Sequence, residues 1–118
     1  MLPTLCCWNF TPERMQALRR ICGGMRVRLR PVSAAEAGVP LARLPQTDPL
    51  PSPAAMPFGD EMLLMAAFTG AQVDNLLAGL RREGLAPVRL KAILTPFNAG
   101  WDSLTLRRSL AEEAARMP

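Results

Sequence analysis

The chain of 118 residues has no histidine, no tyrosine and a single lysine, Lys91, and aromatic residues make up only 5% of it. Each absence closes off chemistry. Without histidine there is no imidazole general base, no Ser-His-Asp or Cys-His arrangement, and no metal site that depends on imidazole. The three cysteines, Cys6, Cys7 and Cys22, are an odd set with no CxxC spacing. A disulfide framework needs pairs, and a structural zinc site needs about four ligands. Neighbouring Cys6 and Cys7 on a strand would point to opposite faces and could not clamp one ion. They read as small buried apolar side chains in a reducing compartment, with Cys22, close to Arg19 and Arg20, as the one candidate reactive thiol. No metal site and no cofactor are implied. The longest unbroken apolar run, Met62 to Phe68, falls far short of the ~20 residues that span a bilayer. The N-terminal segment has no positively charged lead-in, so it is not read as a signal peptide, and a cytoplasmic, non-membrane protein is expected.

What is present describes one globular domain: 49% hydrophobic and 20% charged residues. Leu5–Phe10 reads as an apolar strand. Thr11-Pro12-Glu13 then gives an N-cap, a first-turn proline and an acidic residue for the helix dipole. Met15, Leu18, Ile21, Cys22 and Met25 follow at helical spacing, with Gly23-Gly24 as the expected stop. Arg26-Val27-Arg28-Leu29-Arg30 alternates strictly, which predicts a strand with one apolar and one cationic face. Ser33-Ala34-Ala35-Glu36 has the form of a capping box and predicts a short helix to about Leu44. Six of the twelve prolines lie between Pro40 and Pro57, so residues 40–60 are expected to be a mobile, irregular linker inside one domain. Glu61–Phe68 is a second apolar strand. Thr69-Gly70-Ala71-Gln72 is another capping box, and Val73, Leu76, Leu77 and Leu80 repeat with helical period until Gly84. Val88-Arg89-Leu90-Lys91-Ala92 alternates again into Ile93-Leu94. Residues 95–101 form a loop, and Asp102 or Ser103 caps a last helix at about 102–117, with Leu106, Leu110, Ala114 and Met117 on one side.

The chain thus divides into two βαβ halves, about 5–32 and 61–94, and they look alike. Asn9-Phe10-Thr11 parallels Ala67-Phe68-Thr69, and Val27-Arg28-Leu29 parallels Val88-Arg89-Leu90. The expected fold class is α+β or α/β: a four-stranded sheet from two βαβ units, in a ferredoxin-like split βαβ sandwich with an added C-terminal helix. The alternative is a small doubly wound parallel sheet. Both put the apolar strands in the centre and the alternating strands at the margins. Val27, Leu29, Val88 and Leu90 would then pack under the helices. Arg26, Arg28, Arg30, Arg89 and Lys91 would rim the opposite face, whose apolar centre needs a cover.

Glu61-Met62-Leu63-Leu64-Met65, Phe68, Leu90-Lys91-Ala92-Ile93-Leu94-Thr95-Pro96, Asn98 and Trp101 resemble a bacterial family known as domain of unknown function 3783. The resemblance spans about residues 61–115. A weaker likeness covers 5–32, through Asn9-Phe10 and the helix that follows. It implies a small cytoplasmic bacterial protein without an assigned activity, and it supplies no catalytic residues.

Two groups of residues are candidate sites. Lys91, Thr95, Asn98 and Trp101 cluster just before a helix start, where free N–H groups and positive potential suit a small anion; the competing reading makes Asn98 a turn residue and Trp101 a core plug. Arg26, Arg28, Arg30 and Arg89 form the basic sheet face. Residues 1–32 hold six basic residues and one acidic residue, yet the strand positions at which bases would be expected to stack carry Cys, Leu, Met and Ala in place of exposed aromatics. The leading reading is a non-enzymatic interaction or regulatory module that binds a protein partner or itself, with an anion at the 95–103 loop. The alternative is nucleic-acid binding through the arginine face. An enzyme would need a concave pocket lined by Lys91 and Asn98.

Overall fold

In the computed structural model, which describes residues 2–116, four strands and three helices follow one another as β1 (Thr4–Trp8), α1 (Pro12–Met25), β2 (Arg28–Pro31), β3 (Met62–Ala66), α2 (Gly70–Arg82), β4 (Leu90–Ile93) and α3 (Ser103–Arg116). The sheet order is β2-β1-β3-β4. β1 runs parallel to β2, β3 runs parallel to β4, and the two pairs join antiparallel through β1 and β3. The fold is therefore α+β, with one mixed sheet made from two βαβ units, the alternating strands at the margins and the apolar ones in the centre. Within each unit the two strands are direct neighbours, and the antiparallel seam excludes the all-parallel alternative.

Helix starts follow the local chemistry. The Thr11 hydroxyl accepts from the Arg14 N–H, and Pro12 opens α1. Thr69 and Gln72 cap each other at α2. The expected stop at Gly23-Gly24 does not occur. Glycine costs about 1 kcal/mol per helical site, and the burial of Ile21 and Cys22 holds the last turn together. The left-handed position that ends α1 is Arg26, at φ 57°, and Val27 N–H reaches back to the Cys22 carbonyl at 2.9 Å. Arg26 is thus a helix cap and not a strand residue.

The sheet is covered on both faces. On one, Leu5, Cys7, Leu63 and Met65 meet Leu18, Ile21, Leu76 and Leu80 from α1 and α2. On the other, Cys6, Trp8, Met62, Leu64 and Leu90 pack against Leu106 of α3 and against Val39, Leu41, Leu44, Met56 and Phe58 from the segment between β2 and β3. In place of one short helix, that segment holds two 3₁₀ turns, Ala34–Glu36 and Leu41–Gln46, with Gly38 and Pro40 between them. Trp8 Nε1–H donates to Ser103 Oγ at 3.0 Å, tying the central strand to α3. Asp102 caps α3 by accepting the Thr105 N–H at 2.9 Å. Leu106 and Leu110 face this core as expected; Met117 lies outside the described residues.

Candidate functional site

β2 behaves as its alternation predicts. Its register pairs Leu29 with Leu5 and Arg28 and Arg30 with Thr4 and Cys6, so Leu29 packs on the helix side and both arginines point to the other face. β4 does not follow. Leu90 is paired with Met62 and Lys91 with Leu63, which sends Leu90 to the α3 side and Lys91 to the helix side. Val88 precedes the strand and turns in beneath the helices. The sequence parallel aligns Arg28 with Arg89, whereas the sheet aligns Arg28 with Leu90. A slip of one residue reverses every side chain in a strand. Arg89 is exposed outside β4, Lys91 donates to the Val88 carbonyl, and neither joins Arg28 and Arg30 on a common surface.

The β2 arginines are not a surface either. Arg30 is fully buried. Its guanidinium forms a two-pronged pair with Glu36 and also donates to the carbonyls of Pro31, Leu44, Thr47 and Asp48 and to the Thr47 hydroxyl. Arg28 donates to the Pro45 carbonyl at 2.7 Å and the Thr47 carbonyl at 3.0 Å, and it meets Asp48 at 3.1 Å. Residues 33–48 are therefore a strap held by two arginines, which corrects the expectation of a mobile linker over residues 40–48. Burial raises the Glu36 carboxyl, but the Arg30 hydrogen bonds, the Ser33 N–H and the Arg30 charge outweigh it and hold the group below its ordinary value. The expected basic face of Arg26, Arg28, Arg30 and Arg89 thus resolves into a helix cap, a half-buried anchor, a buried anchor and one exposed side chain.

The second candidate cluster is partly assembled. Asn98 Oδ1 accepts the Thr95 N–H at 2.9 Å, Asn98 Nδ2 donates to the Ile93 carbonyl at 3.0 Å, and the Trp101 N–H reaches the Asn98 carbonyl at 3.0 Å. Thr95, Asn98 and Trp101 come together as a closed turn, with Lys91 on the other side of the sheet. Trp101 packs on the core, and its carbonyl accepts the Leu41 N–H of the strap at 2.8 Å. The amides of Thr95, Asn98 and Trp101 in the turn and of Ser103, Thr105 and Leu106 at the start of α3 already have acceptors, and the Asp102 carboxylate sits over that helix start. The turn reading of Asn98 and the core reading of Trp101 account for this geometry.

Cysteine reactivity is suppressed by the same packing. All three thiols are free and buried. Burial pushes Cys6 up to about 12 and Cys22 up to about 11, and raises Cys7 as well. A thiol this far from its thiolate is a poor nucleophile, so the reactive reading of Cys22 falls.

Sequence reasoning missed three features. Glu36 becomes the partner of Arg30; its place six residues after an alternating strand, in a capping box, was the available signal. Ser103 becomes the acceptor for buried Trp8. Phe97 stands 81% exposed in the loop after β4, edge-on to Trp101 at 5.4 Å; a phenylalanine between Pro96 and Asn98 in a turn-forming stretch was its only mark. Ile93 at 46% and Leu104 at 44% are exposed on either side of the same loop in the chain. Three concavities lie elsewhere: a groove of about 440 Å³ between α1 and α2 flanked by Arg20 and Arg82, one of about 210 Å³ beside Pro87, and one of about 220 Å³ along the strap beside Arg43. Lys91 and Asn98 line none of these three.

The arrangement defines a small closed α+β module whose internal cations hold structure together. Residues 61–117, which comprise the second βαβ unit and α3, match the family model of a domain of unknown function (DUF3783), and the chain carries that domain over its second half. No curated protein matches the chain, and no solved structure does. Among the described residues no helix is long and apolar enough to cross a membrane.

Proposed function

We propose that this protein is a non-enzymatic interaction module that binds a protein surface, its own copy or another, through the loop between β4 and α3. The observation that carries this reading is Phe97. A phenylalanine 81% exposed at a loop tip gains roughly 2 kcal/mol or more when it is covered, and a loop closed by its own hydrogen bonds presents it without much ordering cost. Ile93 and Leu104 extend the apolar character on either side. The commitment of Arg28 and Arg30 to the strap favours this loop over the basic sheet face as the partner surface, and favours a protein partner over a nucleic acid.

Phe97→Ser separates this role from folding, because an exposed ring contributes little to the core. Sedimentation of the wild type over a rising concentration series, together with affinity capture from its native host, is compared with Phe97→Ser. Self-association or capture that depends on Phe97 supports the reading. A wild type that stays monomeric and captures nothing the variant does not also capture overturns it.

A further inference from the structure

The two halves are related more closely than their short sequence parallels require. A shift of 58 in residue number carries Leu5 onto Leu63, Phe10 onto Phe68, Thr11 onto Thr69 and Leu18 onto Leu76. It carries Asn9, at φ 65°, onto Ala67, at φ 61°, so both units leave their first strand through a left-handed residue and enter the helix at a capping threonine. The same shift describes how the units meet. In the antiparallel seam Cys6 stands opposite Leu64, its own counterpart under the shift. A Cβ placed on Gly79 would lie 2.8 Å from Cγ2 of Ile21, and Ile21 and Gly79 are again counterparts. Residues that meet their own counterparts mark an approximate twofold axis, here passing through the middle of the sheet and the crossing of the two helices. Such a contact is isologous, the same patch used from both sides.

We infer that the β3 edge and the α2 face around Gly79 form a recognition surface for a second βαβ unit, filled in this chain by its own first half, residues 4–31. The family model stops short of that half: it matches 61–117 only. The second unit alone would expose the inner edge of an all-apolar strand, Met62–Ala66, whose residues are all buried here. The first half supplies the missing strand in register and the missing helix, with the bulky side chain at the axis on one side and glycine on the other. This inference is independent of the role proposed for Phe97.

An exchange of counterparts in the full-length chain tests it. Gly79→Ile alone overpacks the crossing, and Ile21→Gly alone leaves a cavity and adds a helical glycine. If the halves are true counterparts, Ile21→Gly with Gly79→Ile rebuilds the same contact from the opposite side, and its urea midpoint recovers more than half of the summed losses of the single variants. A second exchange, Cys22→Leu with Leu80→Cys, covers the event that the first does not fold. Recovery in either exchange supports the twofold pairing. Losses that simply add, or failure to fold, in both exchanges overturn it.

Discussion

At the residue scale, the least comfortable position is Ala67. Its φ of 61° lies in the left-handed region, which costs an alanine roughly 1–2 kcal/mol. Asn9 holds the equivalent place with less penalty and adds bonds, since its Nδ2 donates to the carbonyls of Phe58 at 2.8 Å and Asp60 at 2.9 Å. Opposite outcomes are therefore expected from the same substitution. Ala67→Gly raises stability by up to about 1 kcal/mol, the relieved strain less the extra chain entropy of glycine, whereas Asn9→Gly lowers it, because two carbonyls lose a donor. Urea unfolding of both variants checks this, and the same sign in both would be evidence against the assignment. The αL positions themselves were not legible in the sequence; the recurrence of Asn9-Phe10-Thr11 as Ala67-Phe68-Thr69 was, and it marked their location without their geometry.

At the scale of elements, periodicity identified the helices and the two alternating strands, and short unbroken apolar runs identified the two central strands. The same patterning placed the margins of the sheet correctly: β1 and β3 are apolar on both faces, whereas β2 alternates. It failed at β4, where an alternation beginning at Val88 belongs to a segment that enters the sheet only at Leu90. Nothing in the residues states where a strand begins to pair, and the resulting slip reversed Leu90 and Lys91. The strap was illegible for a different reason. Prolines signal the absence of regular structure, but an irregular segment can still be fixed by long-range bonds. Leu41 and Ala42 donate to the carbonyls of Trp101 and Ala99, and Arg28 and Arg30 hold residues 44–48. Hydrogen exchange is expected to divide the segment. The amides of Leu41 and Ala42 should be protected nearly as well as the central strands, and those of 50–56 should exchange rapidly. Uniform rapid exchange from 33 to 60 would contradict the strap.

At the scale of the whole molecule, the positive charge has two uses. Exposed arginines such as Arg89 remain in water, and exposed charges of this kind contribute little to stability. Arg30 instead sits inside, with Glu36 beside it, and closes the second face of the sheet by fixing the segment that covers it. The account depends on this internal role, and on the closed face that follows from it. Chemical denaturation of Arg30→Met, Arg30→Met with Glu36→Leu, and Arg89→Ala tests it most directly. Removing Arg30 alone strands a buried carboxylate and should cost about 3–5 kcal/mol. Replacing both partners should recover a large part of that loss, and Arg89→Ala should stay within about 0.5 kcal/mol of the wild type. An Arg30→Met protein as stable as the wild type would mean that the guanidinium is not a structural anchor and that the sheet face is open.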